Sequence, residues 1–270
     1  MKVVLFCGGQ GMRLREYSEK IPKPMVPIGY RPVLWHVMKY YAHFGHKDFI
    51  LCLGHQADTI KDYFVNYHEY ISNDFVLNRG SKVELLSTDI DDWNITFADT
   101  GINANVGQRL LAVKKYLKDD TEFLANYSDG LTDLPLNDMI TRFRQSGKVA
   151  SFMAARPTRS FHVATLGPDN VVTDFSSFSE HNEVWINAGY FVFRKEIFDY
   201  LKPGEELVEE PFRRLIEKRE LLAYPHKGHF FTMDTFKEKQ ALDDMYTQGN
   251  TPWQVWKGTG TGSQLTSEAC

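Results

Sequence analysis

The chain has 270 residues, of which 43% are hydrophobic and 24% are charged, and its formal net charge is −4. These proportions are those of a globular protein with a substantial core, and the small negative charge argues against nucleic acid as a partner. No apolar run approaches the roughly 20 residues that span a membrane. The cysteines at positions 7, 52 and 270 show no metal spacing. We therefore expect a reduced, cytoplasmic protein that neither enters a membrane nor binds nucleic acid.

The first 25 residues carry the strongest local signal. Val3–Cys7 is an apolar run with β-branched residues, which predicts a buried strand. Glycines at positions 8, 9 and 11 follow, and successive bare N–H groups in such a turn can hold an anion. Arg13 lies where a guanidinium could close over a phosphate, and Lys23 lies between two prolines that stiffen its backbone. Together these features suit a polyphosphate ligand.

Other interpretations of this loop fit less well. A Rossmann fingerprint needs a third glycine where Leu14 stands, and a Walker loop needs a Gly-Lys-Ser/Thr that does not follow. The glycines alone would favour an ordinary strand-to-loop turn with solvated cations. The spacing of Arg13 and Lys23 favours the phosphate site instead.

The next elements alternate between helix and strand. Helical spacing covers Arg31–Ala42 and Thr59–Tyr67, and an apolar strand, Phe49–Leu53, lies between them. This order predicts a parallel sheet with crossover helices, whose ligands gather at the carboxyl ends of the strands. Gln56 follows the second strand and could contact a base edge or lie in a surface loop.

The middle of the chain predicts a hairpin of Val83–Leu86 with Asn94–Ala98, then a helix over 110–117. Arg109 precedes that helical pattern in a stretch rich in glycine and asparagine. A cation in the first helical turn opposes the helix dipole, so it is costly there unless a ligand compensates. Arg109 is therefore a candidate for binding a phosphate.

A strand over Glu122–Tyr127 is ended by Ser128, Asp129 and a glycine. A carboxylate at a strand end beside a phosphate loop is well placed to hold Mg²⁺. Asp-Gly is also a common turn pair, so an ordinary turn aspartate is the alternative. Asp133 on the same loop is a weaker candidate near the site.

The remaining patterns complete one α/β domain. They predict helices over Leu136–Ser146, Phe212–Leu222 and Phe236–Tyr246, strands over Val149–Ala155 and Trp185–Phe193, and a hairpin of Val163–Leu166 with Asn170–Phe175. The composition from residue 258 is that of a flexible tail. We predict a single Rossmann-like domain over residues 1–257, with a mostly parallel mixed sheet flanked by helices, and a tail over 258–270.

The motif GGQGMRL, followed by IPKPMVPIGYRPVLWH, resembles the signature of sugar-1-phosphate nucleotidyltransferases, whose loop usually reads GGxGTRL. The match to the glucose-1-phosphate cytidylyltransferase branch is closer and runs along most of the chain. Asp99-Thr100-Gly101 with Gly107–Leu110 resembles that branch's DTG…GGRL pattern. The resemblance implies that a nucleoside triphosphate, CTP first, reacts with a sugar 1-phosphate, glucose 1-phosphate first, to give a nucleotide sugar and pyrophosphate.

The resemblance also implies roles for individual residues. Arg13 and Lys23 are the catalytic pair, and Asp129 (in the family's GDG) and Asp234 (in its MDT) are the ligands of Mg²⁺. Asn187 matches the asparagine of INGG that contacts the sugar. The implied nucleotide-binding residues are Phe6, Cys7, Gly8, Gly9, Gln10, Gly11, Met12, Ala104, Arg109 and Ser128.

Three departures from the family pattern leave alternatives open. Met12 replaces a threonine, Ser128 replaces a glycine, and the lysine of a Glu-Lys-Pro that holds the sugar phosphate is absent. Arg159 and His181 are candidates to replace that lysine, together with His162. UTP or dTTP, another acceptor, or a non-catalytic protein that senses nucleotide sugars therefore stay possible. Because the family often forms closed oligomers, we also expect a homo-oligomer.

Overall fold

The structure is a computed structural model, and it describes residues 1–9, 21–157, 162–166, 168–177 and 184–257. The strands in chain order are β1 (Val3–Phe6), β2 (Pro27–Ile28), β3 (Arg31–Pro32), β4 (Asp48–Leu53), β5 (Phe75–Asn78), β6 (Lys82–Leu85), β7 (Asn94–Asp99), β8 (Glu122–Asn126), β9 (Gly130–Thr132), β10 (Ala150–Ala155), β11 (His162–Leu166), β12 (Val172–Ser177), β13 (Ile186–Arg194), β14 (Leu221–His226) and β15 (Phe230–Thr232). The α-helices are α1 (Val33–His43), α2 (Ala57–Val65), α3 (Val106–Val113), α4 (Leu136–Ser146), α5 (Glu210–Glu217) and α6 (Phe236–Thr247).

A seven-stranded sheet in the order β14-β10-β13-β8-β1-β4-β7 forms the centre of the molecule. All neighbouring strands in it run parallel except at β13, which is antiparallel to both β8 and β10. The described helices cover both faces, and two clusters of buried apolar side chains lie on the two sides of the sheet. The predicted α/β class with a mostly parallel mixed sheet is confirmed.

The position of β1 explains why its sequence is so uniformly apolar. It pairs with β4 along one edge and β8 along the other, and its two faces are covered because Val3 and Leu5 enter one apolar cluster and Val4 enters the other. Val3, Val4 and Leu5 are fully buried. A strand buried on both faces shows a continuous hydrophobic run instead of alternation. The chain leaves this strand into the glycine loop at the carboxyl ends of β1, β4 and β8.

The prediction of a hairpin between Val83–Leu86 and Asn94–Ala98 is wrong. Lys82–Leu85 pairs with Phe75–Asn78 in a separate antiparallel ribbon. Asn94–Asp99 instead pairs in parallel with β4 and forms an edge of the central sheet. Both segments have strand character, and only the tertiary arrangement decides which partner each one finds.

The predicted helix over Phe212–Leu222 is too long at its carboxyl end. Helix α5 ends at Glu217, and the chain continues through Arg219, whose φ of +57° is in the left-handed region. Leu221 then begins β14, which pairs in parallel with β10. The hairpin of β11 with β12 and the long strand β13 agree with the sequence predictions. The predicted tail, 258–270, lies outside the described residues, and within the described part of the chain no helix is long and apolar enough to cross a membrane.

Candidate active site

Three of the predicted site residues meet at one point. The Lys23 Nζ lies 2.5 Å from Oδ2 of Asp129 and 2.6 Å from Oδ1 of Asp234. The three side chains are 14%, 29% and 22% exposed, so the cluster is largely shielded but reachable from solvent. Burial lowers the pKa of Lys23, but the two carboxylates outweigh it and raise that pKa above its ordinary value. The lysine is therefore a protonated cation held between two anions.

A two-stranded ribbon brings the two carboxylates together although they are far apart in sequence. We call β9 paired with β15 the carboxylate ribbon, in which Gly130 lies opposite Thr232 and Thr132 opposite Phe230. Asp129 directly precedes β9, and Asp234 follows β15 by two residues. Because the strands are antiparallel, both aspartates emerge at the same end of the ribbon. Its register therefore determines the separation of the two carboxylates.

The opposite end of the carboxylate ribbon is clamped by a third carboxylate, that of Asp133. Asp133 accepts the backbone N–H of His229 at 2.7 Å, and its two oxygens lie 2.8 Å from His229 Nδ1 and from His226 Nε2. The Thr132 hydroxyl also donates to the carbonyl of His229 at 2.7 Å. Burial raises the pKa of Asp133, but these hydrogen bonds outweigh it and hold the pKa well below its ordinary value. This clamp fixes the register at the far end from the lysine.

The backbone on each side of the two aspartates is also fixed. The buried Tyr190 hydroxyl donates to the carbonyl of Gly130 at 2.8 Å, directly after Asp129. Asp234 precedes Thr235, the N-cap of α6, which forms a reciprocal capping box with Glu238. The Glu238 carboxylate additionally accepts the backbone N–H of Asp234 at 2.7 Å. Both carboxylates therefore stand on backbone with little freedom.

Lys23 stands on equally rigid backbone. It begins a 3-10 turn, Lys23–Met25, whose first and last hydrogen bonds run from Met25 N to Pro22 O at 2.8 Å and from Val26 N to Lys23 O at 3.1 Å. The flanking prolines restrict φ on either side, as the sequence predicted.

Ser128 is fully buried and has a φ of +66°. Its hydroxyl donates to the carbonyl of Phe6 at 2.9 Å, and its N–H donates to the Asn126 side chain at 2.7 Å. The turn that carries Asp129 is thereby tied to the end of β1. A positive φ is strained for an L-residue and unstrained for glycine, so this conformation fits the glycine of the motif that the sequence resembles.

Arg109 has a role that the sequence did not reveal. It lies in the first turn of α3, as predicted, and it is only 3% exposed. Its guanidinium donates to the carbonyls of Gly8 at 2.9 Å and Leu53 at 3.1 Å, and to the Thr100 hydroxyl at 2.6 Å. Protein acceptors thus compensate the cation that opposes the helix dipole. Arg109 joins the loops after β1, β4 and β7 into one rim, and direct contact with a nucleotide stays a prediction.

The glycine loop begins at this rim. Gly8 is packed so closely on Arg109 that a Cβ atom there would lie 2.1 Å from Nη1, whereas a Cβ on Gly9 would meet nothing within 4 Å. Cys7 donates its N–H to the carbonyl of Cys52 at 3.0 Å, which continues the β1–β4 ladder. Burial raises the pKa of the Cys7 thiol to about 12, so the thiol stays protonated and Cys7 can serve a ligand only through its backbone.

Two further candidates lie near the rim. Asn187 is exposed on β13, and its amide donates to the Tyr127 hydroxyl at 3.1 Å, next to the turn of Asp129. It borders a bulge at Gly189, whose φ is +75°, so its position is explained by the strand geometry, and a sugar contact stays a prediction. Ala104 is half-buried in the loop before α3. The remaining candidates, Gln10, Gly11, Met12, Arg13, Arg159 and His181, lie outside the described residues.

The sequence did not reveal the clamp of Asp133 by His226 and His229. The available signal was the AYxHxG segment at 223–228, which contains His226 and precedes β15. Only the pairing of β9 with β15 shows that this segment faces Asp133.

Comparison of the sequence with known proteins assigns the chain to a family. The nucleotidyl transferase family model matches residues 2–269. A glucose-1-phosphate cytidylyltransferase of Salmonella typhimurium is 36% identical over 258 residues, which cover 95% of this chain and all of that protein. The chain therefore belongs to the nucleotidyl transferase family, as an enzyme that forms nucleotide sugars from sugar phosphates, and the family predicted from the sequence is confirmed.

Solved structures agree on the fold. A UDP-glucose pyrophosphorylase complexed with UDP-glucose superposes with a TM-score of 0.67 at 16% identity, covering 92% of this chain and 98% of that one. A UTP-bound UGPase from Acinetobacter baumannii superposes with a TM-score of 0.65 at 17% identity, covering 91% and 92%. At this identity the likeness concerns the fold alone.

Proposed function

We propose that this protein condenses CTP with glucose 1-phosphate to give CDP-glucose and pyrophosphate. The observation that carries the proposal is the convergence of Lys23 on Asp129 and Asp234 beside the glycine loop. The choice of CTP and glucose 1-phosphate rests on the relative from Salmonella typhimurium, which carries that name.

The reaction needs little covalent participation by the protein. A phosphate oxygen of the sugar phosphate bonds to the α-phosphorus of the triphosphate, the bond from that phosphorus to the oxygen shared with the β-phosphate breaks, and pyrophosphate leaves. The attacking oxygen is already ionised, so no general base is required. Such transfer depends on positioning and on neutralising charge.

The donor set fits Mg²⁺. Two carboxylates that flank the paired strands β9 and β15 already converge on one cation, the Lys23 ammonium, and carboxylate oxygens are the ligands that Mg²⁺ prefers. Asp129 and Asp234 would hold the ion, which would supply charge neutralisation to the phosphates when bound.

Lys23 would lie against the α-phosphate and stabilise the charge that develops there. Arg13 and the N–H groups of the glycine loop would hold the departing pyrophosphate, and Asn187, Arg159 and His181 would contact the sugar phosphate. Arg109 would contribute by holding the carbonyls of Gly8 and Leu53 and thereby shaping the rim.

Release of pyrophosphate from a panel of triphosphates and sugar 1-phosphates tests the proposal. We expect CTP with glucose 1-phosphate to give the highest kcat/KM, and Asp129→Asn and Asp234→Asn to abolish Mg²⁺-dependent turnover with the fold intact by circular dichroism. Lys23→Ala should lower kcat by two or more orders of magnitude, that is by about 3 kcal/mol or more in transition-state stabilisation. A preference for UTP or dTTP would correct the base, and tight nucleotide binding without turnover across the panel would refute the enzyme proposal.

A further inference from the structure

A cation and an aromatic ring close the outer end of the β10–β13 strand pair. The guanidinium carbon of Arg156 lies 5.6 Å from the ring centroid of Trp185. Arg156 directly follows β10 and is exposed, while Trp185 directly precedes β13 and is half-buried. A guanidinium over a tryptophan face is attracted by the ring quadrupole, which restricts the orientation of the arginine side chain. Arg156 is therefore a charged group that an aromatic ring orients at the rim of the sheet.

The register of the two strands puts Arg156 on the same face of the sheet as Asn187. Ala154 lies opposite Asn187 in this antiparallel pair. Residues that lie opposite each other, and residues two positions apart on one strand, project from the same face. Arg156 and Trp185, each two positions further out, therefore share that face with Asn187. Trp185 lies about 7 Å along the strand from Asn187, a distance that a sugar phosphate can span.

The polar groups on this face present hydrogen-bond donors. The side-chain oxygen of Asn187 is occupied, because it accepts the backbone N–H of Gly189 at 2.9 Å. The amide nitrogen of Asn187 donates one hydrogen to the Tyr127 hydroxyl at 3.1 Å and has a second hydrogen to offer to a ligand. The guanidinium of Arg156 carries donors only. A face that offers donors suits the hydroxyl oxygens of a sugar.

The order of residues along this face gives the direction of a bound sugar 1-phosphate. Tyr190 lies opposite Asn126, the last residue of β8. Asn187, which precedes Tyr190 on β13, thus extends beyond the end of β8, next to the turn that carries Asp129. Arg156 lies further out on the same face. A sugar 1-phosphate whose phosphate reacts beside Asp129 therefore has its ring near Asn187 and the far edge of that ring near Arg156.

We propose that Arg156 is a specificity residue that donates to the hydroxyl at C4 of the hexose, the carbon across the ring from the phosphate-bearing C1. This inference rests on the proposed function, since it takes a sugar 1-phosphate as the acceptor. The N–H groups of the guanidinium form a fixed fork that can serve the C4 hydroxyl and its neighbour on the ring, and Trp185 holds the plane of the fork. A site that donates to a hydroxyl discriminates against an analogue that lacks it.

The ratio of kcat/KM for glucose 1-phosphate to kcat/KM for 4-deoxyglucose 1-phosphate, measured with the full chain, saturating CTP and Mg²⁺, tests the proposal. We expect a ratio of about tenfold or more for the unaltered protein, the effect of one hydrogen bond from a charged donor. Arg156→Met should lower the ratio to less than about threefold by raising KM for glucose 1-phosphate, with KM for CTP unchanged. Arg142→Met is the matched control, because Arg142 also lies over an aromatic ring, that of Tyr224 at 5.2 Å, and it should keep the full ratio.

Two results would overturn the proposal: a ratio below about threefold in the unaltered protein, or a ratio in Arg156→Met equal to that of the unaltered protein. The first result needs no variant, so a folding defect of Arg156→Met cannot hide it. The second includes the case in which KM rises by the same factor for both sugar phosphates, because Arg156 then binds the phosphate and not the C4 hydroxyl. Absence of turnover with every triphosphate and sugar 1-phosphate refutes the proposed function and this inference together. Normal turnover with an unchanged ratio in Arg156→Met refutes the inference alone.

Discussion

Replacing Gly8 with alanine should destabilise the protein, whereas the same change at Gly9 should not. A Cβ on Gly8 would lie 2.1 Å from Nη1 and 2.2 Å from Cζ of Arg109, and no contact occurs within 4 Å at Gly9. The φ of Gly8 lies outside the left-handed region, so steric overlap with Arg109 is the dominant cost of an added Cβ. The two neighbouring glycines therefore form a matched pair.

The size of the effect follows from what Arg109 must give up. To make room, its guanidinium has to leave the carbonyls of Gly8 and Leu53 and the hydroxyl of Thr100. Leu53 O keeps the N–H of Thr100 at 3.0 Å, so its loss is partly covered. Hydrogen bonds from a charged donor contribute about 1.5 to 3 kcal/mol each, so losing the equivalent of two costs about 3 kcal/mol at the lower end of that range.

Urea unfolding of the single and double variants provides the assay. We expect Gly8→Ala to lower the free energy of unfolding by about 3 kcal/mol and Gly9→Ala to change it by less than about 0.5 kcal/mol. In an Arg109→Ala background the added methyl group has no guanidinium to displace, so Gly8→Ala should then cost little. The double-mutant cycle would refute the reasoning if Gly8→Ala cost the same with and without Arg109.

Two further predictions concern pH. Burial lowers the pKa of His36 from 6.5 to about 4, so between these pH values the unfolded chain binds a proton that the folded chain does not. The free energy of unfolding should therefore fall below pH 6.5, by about 2 kcal/mol at pH 5. Urea unfolding should show this loss reduced in His36→Gln but not in the exposed control His43→Gln. The depressed pKa of Asp133 gives stability that is fully present above about pH 4 and is lost gradually as the pH falls toward the lower pKa of the folded state, so Asp133→Asn should be destabilised at neutral pH and less so at about pH 3. The control Asp92→Asn, in an exposed ion pair, should differ little at either pH.

Helices and strands whose apolar residues follow a regular or continuous pattern along the chain could be predicted from the sequence. Val3–Phe6 and Phe49–Leu53 are continuous apolar runs because both faces of these strands are covered, and Val33–His43 shows helical spacing after a proline. The hairpin prediction failed because two strands of similar character, Lys82–Leu85 and Asn94–Asp99, take different partners. Pairing over long sequence distances is decided by the whole sheet and leaves no local signal.

The candidate site likewise contains some residues whose role the sequence predicted and others whose role depends on the assembled fold. Asp129 and Asp234 could be predicted as site residues because each follows a strand and matches a motif. Lys23 could be predicted because prolines flank it. The acceptors of Arg109 come from three separate loops, and their approach depends on the assembled sheet. From the cost of a cation at a helix N-terminus the sequence predicted a phosphate ligand for Arg109, and that cost alone could not tell a ligand from protein acceptors.

Ser128 shows how a departure from the family pattern can be weighed on physical grounds. The φ of +66° at this position costs an L-residue about 1 to 2 kcal/mol relative to glycine, which accounts for the glycine in the related motif. The serine hydroxyl offsets that cost by donating to the carbonyl of Phe6 at 2.9 Å inside the buried turn. A side chain that ties the Asp129 turn to the end of β1 strengthens the support of the proposed metal ligand. The substitution is therefore compatible with catalysis.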